Sequence, residues 1–222
     1  MSQNNAAFDN NNLKLIIEFN HYLSRFIHNS WIIDDPYLDI INKIKEDTNV
    51  DYQLSQYLLK KFNLLNKFYY DFNEDYKKVI FANHLTLEKL AFYIGIIFNE
   101  KIIRVNILKS QHNKLIACLG KEEYLFATRK ARFLLPQENF TLDNNMIPWD
   151  NLDSFKNFLY LTGFKLLSYL FNDTSMAFKT RLLIKIDKKW RNAFNMPHDY
   201  YKLSKSKCSS LVIKIFKEVN NK

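Results

Sequence analysis

Glycine occurs three times and proline four times in the 222 residues. Hairpin sheets, sandwiches and barrels need many tight turns, and tight turns draw on those two residues. Their scarcity argues for an all-α chain. It also argues against a glycine-rich phosphate loop, because Gly95, Gly120 and Gly163 stand far apart. Two cysteines, Cys118 and Cys208, are too few for a disulfide framework, and each sits among apolar residues as a reduced core thiol would. The N-terminal stretch MSQNNAAFDNNN has neither a basic region nor an apolar one, so no signal peptide is expected. The longest charge-free apolar run, Leu90 to Asn99, is too short to span a bilayer. Together these absences point to a soluble cytoplasmic protein.

Catalytic patterns are missing too. The histidines His21, His28, His84, His112 and His198 are scattered, and no two stand four apart on one helix. There is no HExxH, no CxxC pair and no nucleophile-elbow serine. Glu122 and Glu123 adjoin but point to different helix faces, which makes a poor acid/base pair. The expectation is no catalytic residue, no metal ligand set and no cofactor. His28, beside Trp31, reads as a histidine fixing a turn.

What is present is core material and lysine. Hydrophobic residues make up 47% and aromatics 16%, enough to fill a sizeable core. Lysine and asparagine each occur 26 times against 6 arginines, a bias that makes single Asn and Lys residues uninformative. The net charge of +9 resides in the last fifth: residues 179–222 hold 12 cations and 3 carboxylates, and the remainder balances. Such a segment suits nucleic acid, anionic lipid, an acidic protein surface or plain solvent.

Apolar spacing of three and four lays out the helices. Residues 1–12 read as a disordered lead, 13–222 as one compact multi-helix domain, and 136–149 as a surface loop or linker. Leu13 to Ile27 forms a first helix, and the sequence at His28 to Trp31 a turn. Pro36 opens a short helix to Glu46; Asp51 caps a longer one carrying Leu54, Leu58, Phe62, Leu65 and Phe68. Thr86 caps a helix with Leu87, Leu90, Ala91, Ile94 and Ile97 on its buried face. A short helix with Ile102, Ile103, Val105, Ile107 and Leu108 follows, then one capped by Ser110 and stopped at Gly120, then one from Glu122 to Leu134. Asp150 or Asp153 opens an apolar helix to Phe171, Thr174 caps another to Phe194, and the last helix carries Leu211, Val212, Ile215 and Val219. In the segment 179–191, Arg181, Lys185, Lys188 and Lys189 approach one face of a helix and Leu182, Leu183, Ile186 and Trp190 another. A basic helical nucleic-acid-binding protein is the alternative this allows, although no helix-turn-helix accompanies it.

Three stretches carry a resemblance. Phe19-Asn20, followed by Phe26-Ile27 and His28-Asn29-Ser30-Trp31, resembles the N-terminal signature of the SctK/YscK family, with Asn29 where proline is usual. The run from Leu85 through Leu90, Ala91 and Gly95 to Ile102-Ile103-Arg104 is similar to a helix pair of that family. Leu119-Gly120 with Tyr124, Phe126, Ala127 and Ala131 is similar to a further helix. The resemblance implies a non-enzymatic, α-helical adaptor of the cytosolic sorting platform of bacterial type III secretion systems. It implies two partners, the cytoplasmic domain of the inner-membrane ring protein and the pod protein related to flagellar C-ring subunits, the latter tied to the ATPase. It places the chain in the bacterial cytoplasm, peripheral to the inner membrane, and no nucleic acid is then expected. On that reading the basic segment contributes to docking, with Lys185, Lys188, Lys189, Trp190 and Arg191 as the partner-binding residues.

Overall fold

A computed structural model describes residues 10–45, 47, 49–106, 108–134, 147–195 and 204–220. The lead over 1–9, most of the loop over 136–149, and Ile107, Pro197 and His198 lie outside the described residues. The fold is all-α, and no strand occurs among the described residues. The helices are α1 Asn10–His21, α2 Leu38–Ile44, α3 Asp51–Lys61, α4 His84–Phe98, α5 Glu100–Arg104, α6 Lys109–Leu119, α7 Lys121–Arg129, α8 Ala131–Leu134, α9 Leu152–Leu170, α10 Met176–Lys185 and α11 Lys205–Asn220. Short 3-10 turns occupy Leu23–Arg25, Asn29–Trp31, Asp75–Phe81 and Lys188–Phe194. The chain divides into two compact units. Unit 1 is residues 1–74 with 174–188; unit 2 is residues 75–173 with 189–222.

Several helix ends differ from those the spacing suggests, and asparagine is the usual reason. The first residue to accept a bond from the free N–H groups of α4 is Asn83, whose Oδ1 takes the Thr86 N–H at 2.8 Å, so Thr86 is capped rather than capping. Asn151 does the same for α9 through the Ser154 N–H at 3.0 Å, and Ser175, not Thr174, caps α10. No side chain caps α6, and Ser110 lies inside its first turn. Helix α3 stops seven residues short of Phe68: Asn63 and Asn66 take positive φ of 55° and 59°, and asparagine is the non-glycine residue that tolerates this best. The expected helix over 122–134 breaks at Lys130 into α7 and α8.

In unit 1, α1 to α3 and α10 enclose Leu23, Ile27, Ile32, Ile41, Leu54, Leu58 and Ile184. Beside them Phe19, Tyr69, Phe72 and Phe178 pack ring against ring, with centroids 4.8 to 6.1 Å apart. In unit 2, α4 is buried almost all round, from Leu87 to Phe98, against α7, α9 and α11. Its closest approach is to α9. A Cβ on Gly95 would overlap the Leu159 carbonyl, and one on Gly163 would overlap the Ala91 carbonyl. Residues 91 and 95 thus face 163 and 159 in reversed order, so the two helices run antiparallel with backbones touching. Gly120 joins α6 to α7 at φ 106° and ψ 149°, an extended positive-φ region that only glycine adopts at low cost.

Candidate functional site

The N-terminal motif stretch is built into unit 1 by hydrogen bonds to distant backbone. Asn20, at the end of α1, is fully buried. Its Nδ2 donates to the carbonyls of Ile16 (3.0 Å) and Tyr69 (2.8 Å), and its Oδ1 accepts from the Tyr69 N–H at 2.8 Å. The side chain thus replaces a strand-like partner for a segment that has no regular structure of its own. The last carbonyls of α1 have no partner within the helix and sit at its negative end. Arg181, on α10 and 0% exposed, meets two of them: Nε donates to the Phe19 carbonyl at 3.0 Å and Nη2 to the Asn20 carbonyl at 3.1 Å. Nη1 returns to the Ala177 carbonyl one turn back, at 3.2 Å. Burial lowers the Arg181 pKa to about 10, which still leaves it charged at neutral pH.

The turn at His28 to Trp31 fastens the end of α10. The His28 N–H donates to the Ile184 carbonyl (2.9 Å), the Trp31 Nε1–H to the Ile186 carbonyl (2.8 Å), and the Lys188 N–H to Ser30 Oγ (2.8 Å). Ser30 Oγ lies 2.8 Å from His28 Nδ1, which also accepts the Ser30 N–H at 3.2 Å. An Nδ1 that accepts cannot carry a proton, so the geometry calls for the Nε2–H tautomer. The histidine and serine therefore serve a clasp rather than a chemical step. Asp35, in the following turn, is buried; burial alone would raise its pKa, but bonds from Lys61 (2.5 Å), the Tyr37 N–H and the Tyr57 hydroxyl hold it below the usual carboxylate range. That cluster too is fully engaged in holding a turn.

The basic segment is not one helix with a basic face. Helix α10 ends at Lys185, Ile186 is extended, and a 3-10 stretch begins at Lys188. Arg181 and Lys185, expected on the basic face, are in the core of unit 1, because their long side chains reach the end of α1 and the Phe26 ring. Lys185 is 5% exposed with its Nζ 5.1 Å from the Phe26 centroid. Trp190 is buried in unit 2, stacked on Tyr160 (5.1 Å) and beside Phe164 (5.4 Å). Lys188, Lys189 and Arg191 are exposed, Lys188 in unit 1 with Nζ 3.1 Å from Asp34, Lys189 and Arg191 in unit 2. Lys189 and Trp190 line an open groove of about 410 Å³ with Asn157, Leu161, Lys165, Asn192 and Ala193.

Lys185 carries a pH signature. Burial pushes its pKa down to about 8, against roughly 10.4 in an unfolded chain. Between those values the unfolded state binds more protons, so this residue's contribution to stability rises with pH through that window; at pH 7 the cost of a buried cation is present in full. The stability of Lys185→Met relative to wild type is expected to fall by roughly 3 kcal/mol between pH 7 and pH 11, because the variant lacks the group that titrates in that window. Urea unfolding of both proteins across that range checks it. Taking the difference removes the opposing effect of Cys208, whose buried thiol is raised to about 11.

Among the described residues, no three His, Cys, Asp or Glu side chains gather in a way that could hold a metal ion, and no helix is long and apolar enough to cross a membrane. The arrangement defines a helical protein whose motif residues hold backbone segments together. The sequence profile of the family described as YOP proteins translocation protein K (YscK) matches residues 16–222, which span both units. The chain belongs to the YscK family and is a type III secretion protein. No curated protein and no solved structure matches it.

Proposed function

We propose that this protein is a non-enzymatic adaptor of the type III secretion sorting platform, linking the cytoplasmic domain of the inner-membrane ring protein to the pod protein and so to the ATPase. The observation that carries the reading is the family match over residues 16–222, essentially the whole chain. The engagement of Asn20, His28, Ser30 and Arg181 in backbone contacts supports it, since these residues are occupied in positioning segments. The adaptor works at the cytosolic face of the inner membrane without entering it. Of the basic segment, the exposed Lys188, Lys189 and Arg191 are the residues able to aid its encounters, by long-range attraction that raises association rates more than affinity. Lys185 and Trp190, both buried, would take no direct part. Affinity-tagged protein expressed with the other secretion genes is expected to co-purify with both the pod protein and the ring protein. Recovery of neither would refute the reading.

A further inference from the structure

Arginine is rare in this chain, 6 residues against 26 lysines. Wherever a plain positive charge suffices, this composition supplies lysine, so the arginines mark places where the planar fork matters. Arg25 pairs with Asp51 and Glu18, and Arg181 serves the end of α1. Three of the remaining four, Arg104, Arg129 and Arg132, belong to α5, the last turn of α7 and α8 in unit 2. These helices pack on one another, α5 against both α7 and α8.

The ends of α5 and α8 and the start of α6 carry exposed apolar and basic side chains. Val105, Leu108 and Phe133 are 58%, 61% and 71% exposed, large values for apolar side chains at the ends of helices whose other faces are buried. Arg104 is taken by Glu100 at 3.1 Å. Arg129, Arg132, Lys101 and Lys109 are exposed and have no carboxylate partner among the described residues. The Arg132 guanidinium lies 4.4 Å from the Phe133 centroid, so the ring presents a flat apolar face with a cation fixed beside it.

We infer that the α5–α7–α8 corner of unit 2 is a docking surface for an acidic protein surface with an apolar anchor, donated by a partner in the platform. The inference rests on the adaptor reading above. Charge complementarity requires carboxylates on the partner, and Arg129 and Arg132 can each meet one through two parallel N–H···O bonds. Phe133, Val105 and Leu108 supply the dry centre around which those pairs are shielded from water. A lipid headgroup surface needs only positive charge, which lysine provides equally. Arginine chosen over lysine, stacked on an exposed phenylalanine, is the composition of a protein interface.

The test uses the full-length chain against the purified ring-protein cytoplasmic domain and, separately, the pod protein of the same secretion system. Wild type binding neither partner would remove the adaptor reading itself. Given wild-type binding, Arg129→Glu with Arg132→Glu is expected to weaken one of the two by at least about tenfold while the other is unchanged. Arg129→Lys with Arg132→Lys keeps the charge and is expected to fall between. Circular dichroism and the melting temperature report the fold; if the double reversal lowers them, Phe133→Ser takes its place and the same loss is expected. Unchanged binding of both partners overturns the inference. So does a loss confined to phosphatidylcholine vesicles containing phosphatidylserine, which would make the corner a lipid-binding surface.

Discussion

Gly163→Ala should destabilise unit 2 by about 3 kcal/mol or more, a fall in Tm of roughly 6–12 °C for a chain of this size. On an exposed helix the same change stabilises by up to about 1 kcal/mol, because alanine is the better helix former. Here the sign reverses. The new methyl group would sit on the Ala91 carbonyl of α4, which is backbone and cannot swing aside. Either α4 and α9 separate along their whole contact or the helices bend, and both loosen the side chains around them. Gly95→Ala should do the same from the other helix, against Leu159. Thermal unfolding of the two variants checks this; a melting temperature at or above wild type in either would mean that the helices do not touch there.

Arg181→Ala is the second large effect, about 3 to 5 kcal/mol. The cost has two parts. The carbonyls of Phe19 and Asn20 lose their donors at the closed end of α1, and a long side chain leaves a hole next to the Phe19 ring, 5.5 Å from its guanidinium carbon. Water replaces a partner poorly in so enclosed a place. Arg181→Lys is expected to recover only part of the loss, since one ammonium cannot meet carbonyls on two helices as a fork does. Denaturant titrations rank the three proteins; an alanine variant within about 1 kcal/mol of wild type would show that α1 does not depend on this cap.

How legible was this from the residues? Helix identity was, because apolar spacing reports burial on one face, and α4, α9 and α11 contain the apolar residues that marked them. The caps were not. With 26 asparagines in the chain, Asn83 and Asn151 carry no contrast beside the more familiar capping types at Thr86 and at Asp150 or Asp153. The family signature was visible as a pattern, but its meaning was hidden. Nothing along residues 19–31 tells that Asn20 bonds residue 69 or that His28, Ser30 and Trp31 bond residues 184–188.

The basic segment shows the limit most plainly. Local sequence makes Arg181, Lys185 and Lys188 equivalent cations at helical spacing, and charge favours solvent for all of them. Only the docking of α10 against the end of α1 separates them, by setting unpaired carbonyls in front of Arg181 and an aromatic ring in front of Lys185. The same holds for Gly95 and Gly163, which are lone glycines in apolar runs until two helices meet across them. Composition and periodicity determined that this chain is helical and which faces are apolar, because those depend on neighbours three and four residues apart. Which polar groups are buried, and what satisfies them, was decided by tertiary structure, because the partners are backbone atoms about 50 to 160 residues away whose vacancies exist only once the helices have formed.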